Sequence, residues 1–133
     1  MFCSKLKMMN KIPNYRVWHK IEKRFVELRS IDFEKESIGY DAYREAHYYD
    51  VAKFDEIVFQ QWTGLKDYER NDIYEGDIVS YELDGIVYIQ TVGWRNNGWE
   101  MLDARLYGTP LIVNLPNFEI IGNIFENSEL LNK

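Results

Sequence analysis

The chain is poor in cysteine, proline and histidine, and it has no long apolar run. Its 133 residues include one cysteine (Cys3), three prolines and two histidines (His19, His47). A lone cysteine excludes an intramolecular disulfide and points to a reducing cytoplasm. No stretch approaches the roughly 20 apolar residues that span a bilayer, so no membrane partner is expected. Met1–Met9 carries Lys5 and Lys7, but no signal-peptide apolar core follows. Met8 and Met9 are alternative starts, and residues 1–14 read as an N-terminal extension.

Chemical motifs are equally scarce. Neither a phosphate-binding GxxxxGK[ST] loop nor a dinucleotide fingerprint occurs. Two histidines and a remote cysteine do not make a zinc set. Asp41, Glu45, His47 and Asp50 lie close in sequence, but not at a ligand spacing. No Ser/His/Asp group stands out as a triad. Acids are frequent enough that some pair will fall at glycosidase spacing by chance. The expectation is a protein with no catalytic, cofactor or metal residues, and not an enzyme.

Basic charge is also in deficit. Sixteen Lys/Arg face 22 Asp/Glu, for a net charge of -6, which argues against a general nucleic-acid binder. The total hides an asymmetry. Residues 1–30 hold eight basic and two acidic residues, a local +6; the remainder is -12. Lys11, Arg16, Lys20, Lys23, Arg24 and Arg29 crowd one short stretch. Three readings apply, in this order: a charged edge that discourages strand pairing, a contact between subunits, and a phosphate-binding face.

What the chain does have is aromatics (4 Trp, 10 Tyr, 7 Phe) within 46% hydrophobic residues, enough for a real core. The pattern is alternation broken by turn signals, which favours strands. Tyr15–Trp18 and Arg24–Ile31 read as a hairpin around a charged turn at 19–24. Asp32–Tyr40 reads as a further strand, and Asp41–Asp50 as a short helix or an aromatic loop. Asp55–Thr63 is a strand. Gly64–Tyr74 is a connection, and Glu75-Gly76-Asp77 is turn chemistry ahead of Ile78-Val79. Asp84-Gly85 marks a tight hairpin between Ile78–Leu83 and Ile86–Val92. Arg95–Gly98 turns into a strand at Trp99–Leu106, and Tyr107–Pro110 turns again. Leu111–Leu115 and Phe118–Phe125 are the last runs. Asn127 is placed to cap a helical turn. About five strands from residue 77 onward suggest a small, bent antiparallel barrel. The expected class is mainly β (α+β), with a strand-rich part over 15–63, perforce smaller, and the barrel over 64–133.

Four ordered segments resemble the YopX family. They are Tyr15–Trp18; Ser30–Phe33; Gln61–Asp67 followed by Ile73–Val79; and Ile121–Asn127 with Glu129-Leu130-Leu131 behind it. The resemblance spans residues 15–131. It implies an SH3-like barrel in the second half and a phage or prophage accessory protein in a Gram-positive host. It implies no catalytic residue. The family's Asn-Gly turn is replaced here by Tyr68–Asp72, with Asn71 the expected left-handed residue.

The remaining candidates are for interaction. Trp18 and Trp62 read as core. Trp94 and Trp99 flank a turn and are placed to pack across a hairpin, with core packing favoured over a peptide-anchoring role. The expected partners are a host or phage protein, or a second copy. The alternative is nucleic acid held by Arg16, Lys20, Lys23 and Arg24.

Overall fold

A computed structural model describes residues 14–41, 49–103 and 108–131. Outside them lie most of the extension, Cys3, Met8, Met9 and Lys11. The same holds for residues 42–48 of the helix-or-loop segment, with Glu45 and His47, and for the end of the run expected at 99–106. The chain divides into two compact units, Met1–Gln61 and Trp62–Lys133. Both are built from strands, and the described residues contain no α-helix, only two 3-10 turns. The class is therefore mainly β, without the helical part expected of α+β.

In the first unit, β1 (Tyr15–His19) lies antiparallel between β2 (Arg24–Val26) and the start of β6 (Ile57–Lys66). Val17 faces Val26 on one side and Phe59 on the other. The β1–β2 turn is held by His19, whose Nδ1 accepts the Ile21 and Glu22 N–H groups at 3.3 and 3.1 Å. The single strand expected over 24–31 is two strands, β2 and β3 (Leu28–Asp32), broken at Glu27. The strand expected over 32–40 is instead a hairpin turn followed by β4 (Ser37–Asp41). Asp32 explains the difference: its Oδ1 accepts the N–H groups of Glu34 and Lys35, both at 3.0 Å, and turns the chain. β3, β4 and β5 (Tyr49–Lys53) form a three-stranded antiparallel sheet. A 3-10 turn, Phe54–Glu56, takes the first residues of the strand expected at 55–63. The core is Val17, Val26, Ile38, Tyr40, Ala52 and Ile57.

In the second unit, the end of β6 pairs with β7 (Asp72–Tyr74) across a register slip between Trp62 and Lys66. Thr63 spans the slip: its hydroxyl donates to the Ile73 carbonyl at 2.8 Å and accepts the Leu65 N–H at 3.1 Å. Then come β8 (Asp77–Leu83), β9 (Ile86–Arg95), β10 (Gly98–Leu102), β11 (Gly108–Pro110) and β12 (Glu119–Asn123). They form one antiparallel sheet in the order β11-β10-β9-β8-β12. Asp84 and Gly85 have φ of 53° and 77°, and Asn96 and Asn97 have 54° and 63°. Both turns thus have the two positive φ values that match strand twist in a tight hairpin. Leu111–Leu115 is not a strand. Its Leu111, Val113 and Leu115 still pack against the core of Ile73, Val79, Tyr81, Val92, Met101 and Phe118. Asn127 precedes the second 3-10 turn, Ser128–Leu131. Its Oδ1 accepts the Asn123 N–H at 3.2 Å, so the side chain reaches back instead of capping forward.

Glu75-Gly76-Asp77 is a junction of backbone bonds. The Gly76 N–H donates to the Val92 carbonyl at 2.8 Å, and its own carbonyl accepts the Ile124 N–H at 2.9 Å. Asp77 Oδ2 accepts the Tyr74 N–H at 2.8 Å. Gly76 is buried at φ 86°, where a side chain would be strained.

Asp67 does comparable work in the preceding turn. The left-handed residue there is Arg70 (φ 69°), not Asn71. Buried Asp67 accepts the N–H groups of Glu69 (3.0 Å) and Asn71 (2.8 Å) on Oδ1 and of Ile120 (3.1 Å) on Oδ2. A carboxylate with three amide donors replaces the missing Asn-Gly geometry and ties the turn to β12. Asp67→Ala should lower unfolding stability by about 3 kcal/mol, because it strands donors that no other side chain reaches. Asp67→Asn, which keeps one acceptor, should lose less. Denaturant midpoints of the two variants check this.

Candidate interaction site

The basic candidates of the first unit are engaged with their own chain. Arg16 donates through Nε and a terminal nitrogen to Gln60 Oε1, at 3.0 and 2.7 Å, and its guanidinium lies 4.4 Å from the Phe25 ring centre. Lys20 Nζ donates to the Asp55 carbonyl at 3.0 Å. Arg24 Nε donates to Glu22 Oε1 at 2.9 Å. Arg29 forms a two-bond fork with Asp41, at 2.8 and 2.7 Å. That pair raises the Arg29 pKa and lowers that of Asp41. Lys23 is an exposed turn residue with φ 54°. The crowded charge is thus largely matched locally, and the six positions do not converge on one open cationic face.

The same turn contains a cluster that residue spacing did not single out. Tyr40 donates a short hydrogen bond to Glu22 Oε2. Because His19 Nδ1 accepts two backbone N–H groups, the ring proton belongs on Nε2, which lies 3.4 Å from Glu22 Oε2. The Tyr40 donor holds the Glu22 carboxyl below its ordinary 4.5, against the opposing effect of burial and with help from Arg24. Burial, then Glu22, pushes the Tyr40 phenol up. A carboxyl lowered on folding stabilises the folded state above its unfolded value, and the benefit fades as pH falls through the folded value. Wild type should therefore exceed Glu22→Gln in stability by a constant margin above pH 4.5. The margin should shrink below it. Denaturant midpoints against pH measure both.

Among the described residues, no three or more His, Cys, Asp or Glu side chains are grouped to hold a metal ion. No helix is long and apolar enough to cross a membrane. A cleft of about 490 Å³ is lined by Lys35, Glu36, Lys53, Phe54 and Asp55, so both charge signs meet there.

The aromatic candidates sit on the β9–β10 hairpin. Trp94 and Trp99 are directly opposed, with ring centres 5.1 Å apart at 80°. Trp99 packs against the core, whereas Trp94 is 56% exposed. Core packing therefore holds for Trp99 and fails for Trp94. Trp94 is next to the Arg95–Gly98 turn, past the last core residue of its strand, Val92. Trp18 is buried with its ring edge-on to Phe25. Trp62 is only partly buried, its indole N–H donating to the Leu65 carbonyl at 3.4 Å. The other end of β9 exposes Ile86 (55%), Val87 (63%) and Tyr88 (36%). Sequence reading placed these in a strand but did not ask which neighbours cover them. The available signal was the uncharged run Ile86–Trp94.

A family model described as YopX protein matches residues 14–132. Two solved structures are similar. One is the crystal structure of protein EF1440 from Enterococcus faecalis, at 23% identity and a TM-score of 0.61, covering 90% of this chain and 98% of that one. The other is the crystal structure of protein yopX from Bacillus subtilis, at 17% identity and a TM-score of 0.58, covering 88% and 96%. No curated protein matches. With the model spanning almost all of the described strands, this chain belongs to the YopX family.

Proposed function

We propose that this chain is a non-enzymatic accessory protein of a phage or prophage, acting in the bacterial cytoplasm by binding another protein or itself. The observation that carries the reading is the exposure of Ile86, Val87, Tyr88 and Trp94 on one strand of an acidic protein. Contiguous apolar exposure marks protein contact surfaces. Trp94 is also held edge-on by Trp99, so it meets a partner with little ordering cost. The five antiparallel strands of the second unit, with the bulge between Ile120 and Gly122, support reading it as an SH3-like barrel. The internal pairing of Arg16, Arg24 and Arg29 weighs against the nucleic-acid alternative.

Affinity capture from infected or lysogenic cells, after nuclease treatment, tests the proposal. The expected result is a discrete protein partner, or a second copy, at fixed stoichiometry. Trp94→Ala should weaken that contact by about 2 kcal/mol, as expected for a central tryptophan anchor. Capture that disappears with nuclease, joined by oligonucleotide binding that falls steeply with salt, would overturn it.

A further inference from the structure

An edge strand offers unpaired backbone groups to any other strand, and proteins ordinarily blunt such edges with charge, proline or bulges. Every outer strand in the described sheets carries such a device. β2 has Arg24, β3 has Arg29 and Asp32, and β7 has Asp72. β11 ends in Pro110, and β12 begins with Glu119. β5 has Asp50 and Lys53, and Asp50 Oδ1 also occupies the Val51 N–H at 2.9 Å.

β9 is an interior strand by order, yet half of it is an edge. β8 pairs with it from Thr91 to Ile86. On the opposite side β10 pairs only from Arg95 to Thr91. Among the described residues, no strand lies beside Ile86–Gln90 on the β10 side. This segment has none of the usual devices: from Ile86 to Trp94 there is no charge and no proline. The Ser128–Leu131 turn approaches β9 but leaves Ile86, Val87 and Tyr88 exposed. Successive side chains of a strand point to opposite faces, so these three residues make both faces of the segment apolar.

We propose that β9 pairs along Ile86–Gln90 with the same segment of a second copy, antiparallel across a two-fold axis, to make one sheet from two chains. The inference rests on the protein-binding reading above and names the partner. The charge of the molecule selects that partner. Two copies at net -6 repel wherever acidic surfaces meet, and an uncharged strand meeting itself avoids this. An antiparallel pair is self-complementary under two-fold symmetry, so one uncharged edge supplies both halves. A strongly charged peptide would find no complementary charge on this segment.

Light scattering on a sizing column tests this with the full chain. Wild type should run as a dimer. Val87→Lys, at a residue that is mostly exposed and outside the core, should stay folded by circular dichroism and weaken dimerisation about 100-fold, since like charges then face each other across the pair. Val51→Lys, equally exposed but on β5, should remain dimeric. If Val87→Lys loses its fold, Ile86→Lys provides the same test. A dimeric Val87→Lys or Ile86→Lys would overturn pairing through β9 while leaving self-association intact. A monomeric wild type would overturn self-pairing altogether, and the capture experiment would then judge the broader reading independently.

Discussion

The second unit depends on the β8–β9 ladder. The Asp84-Gly85 turn sets it, pairing Leu83 with Ile86 and continuing to Ile78 opposite Thr91. That register places Val79 and Tyr81 on the core side, and Tyr81 stacks on Tyr88 with ring centres 5.2 Å apart. β12 joins the far side of β8, and β10 joins β9. The neighbours are shorter than the ladder. β12 reaches only Ser80, and β10 only Thr91. A one-residue slip would turn Val79 and Tyr81 outward, so burial locks the register. The consequence is a two-stranded end, from Tyr81 to Tyr88, that two neighbours leave uncovered. A two-stranded ribbon is marginal alone, and its exposed apolar side chains gain by being covered.

Charge plays different parts in the two units. In the first it is settled locally: Arg24 on Glu22, Arg29 on Asp41, and Arg16 on Gln60 and Phe25. The exposed pairs among these contribute little stability. Their effect is to place charge along strand edges. In the second unit a single buried carboxylate, Asp67, is neutralised by amide donors instead of a cation. The apolar half of β9 is the exception to this pattern, and the functional reading concentrates there.

What the sequence made legible was local. Asp84-Gly85 and Asn96-Asn97 carry their turn geometry in their own side chains, and the strands around them followed. Asp32 carried the same kind of signal, but the alternation on either side masked it, and one strand was read where a hairpin stands. Pairings between distant residues were not legible. Arg16 meets Gln60 across 44 positions and Asp67 meets Ile120 across 53, and no spacing rule relates them. The basic stretch therefore looked like a free face when its charges were already matched. Trp94 and Trp99 were correctly opposed, but their unequal burial depends on where the core ends, which is a property of the folded sheet.

Hydrogen exchange of the β9 amides, followed as protein concentration rises, tests the central claim most directly. Pairing between copies predicts that protection within Ile86–Gln90 increases with concentration, while that of Thr91–Arg95, already paired with β8 or β10, does not. Protection in Ile86–Gln90 that is independent of concentration would contradict the account.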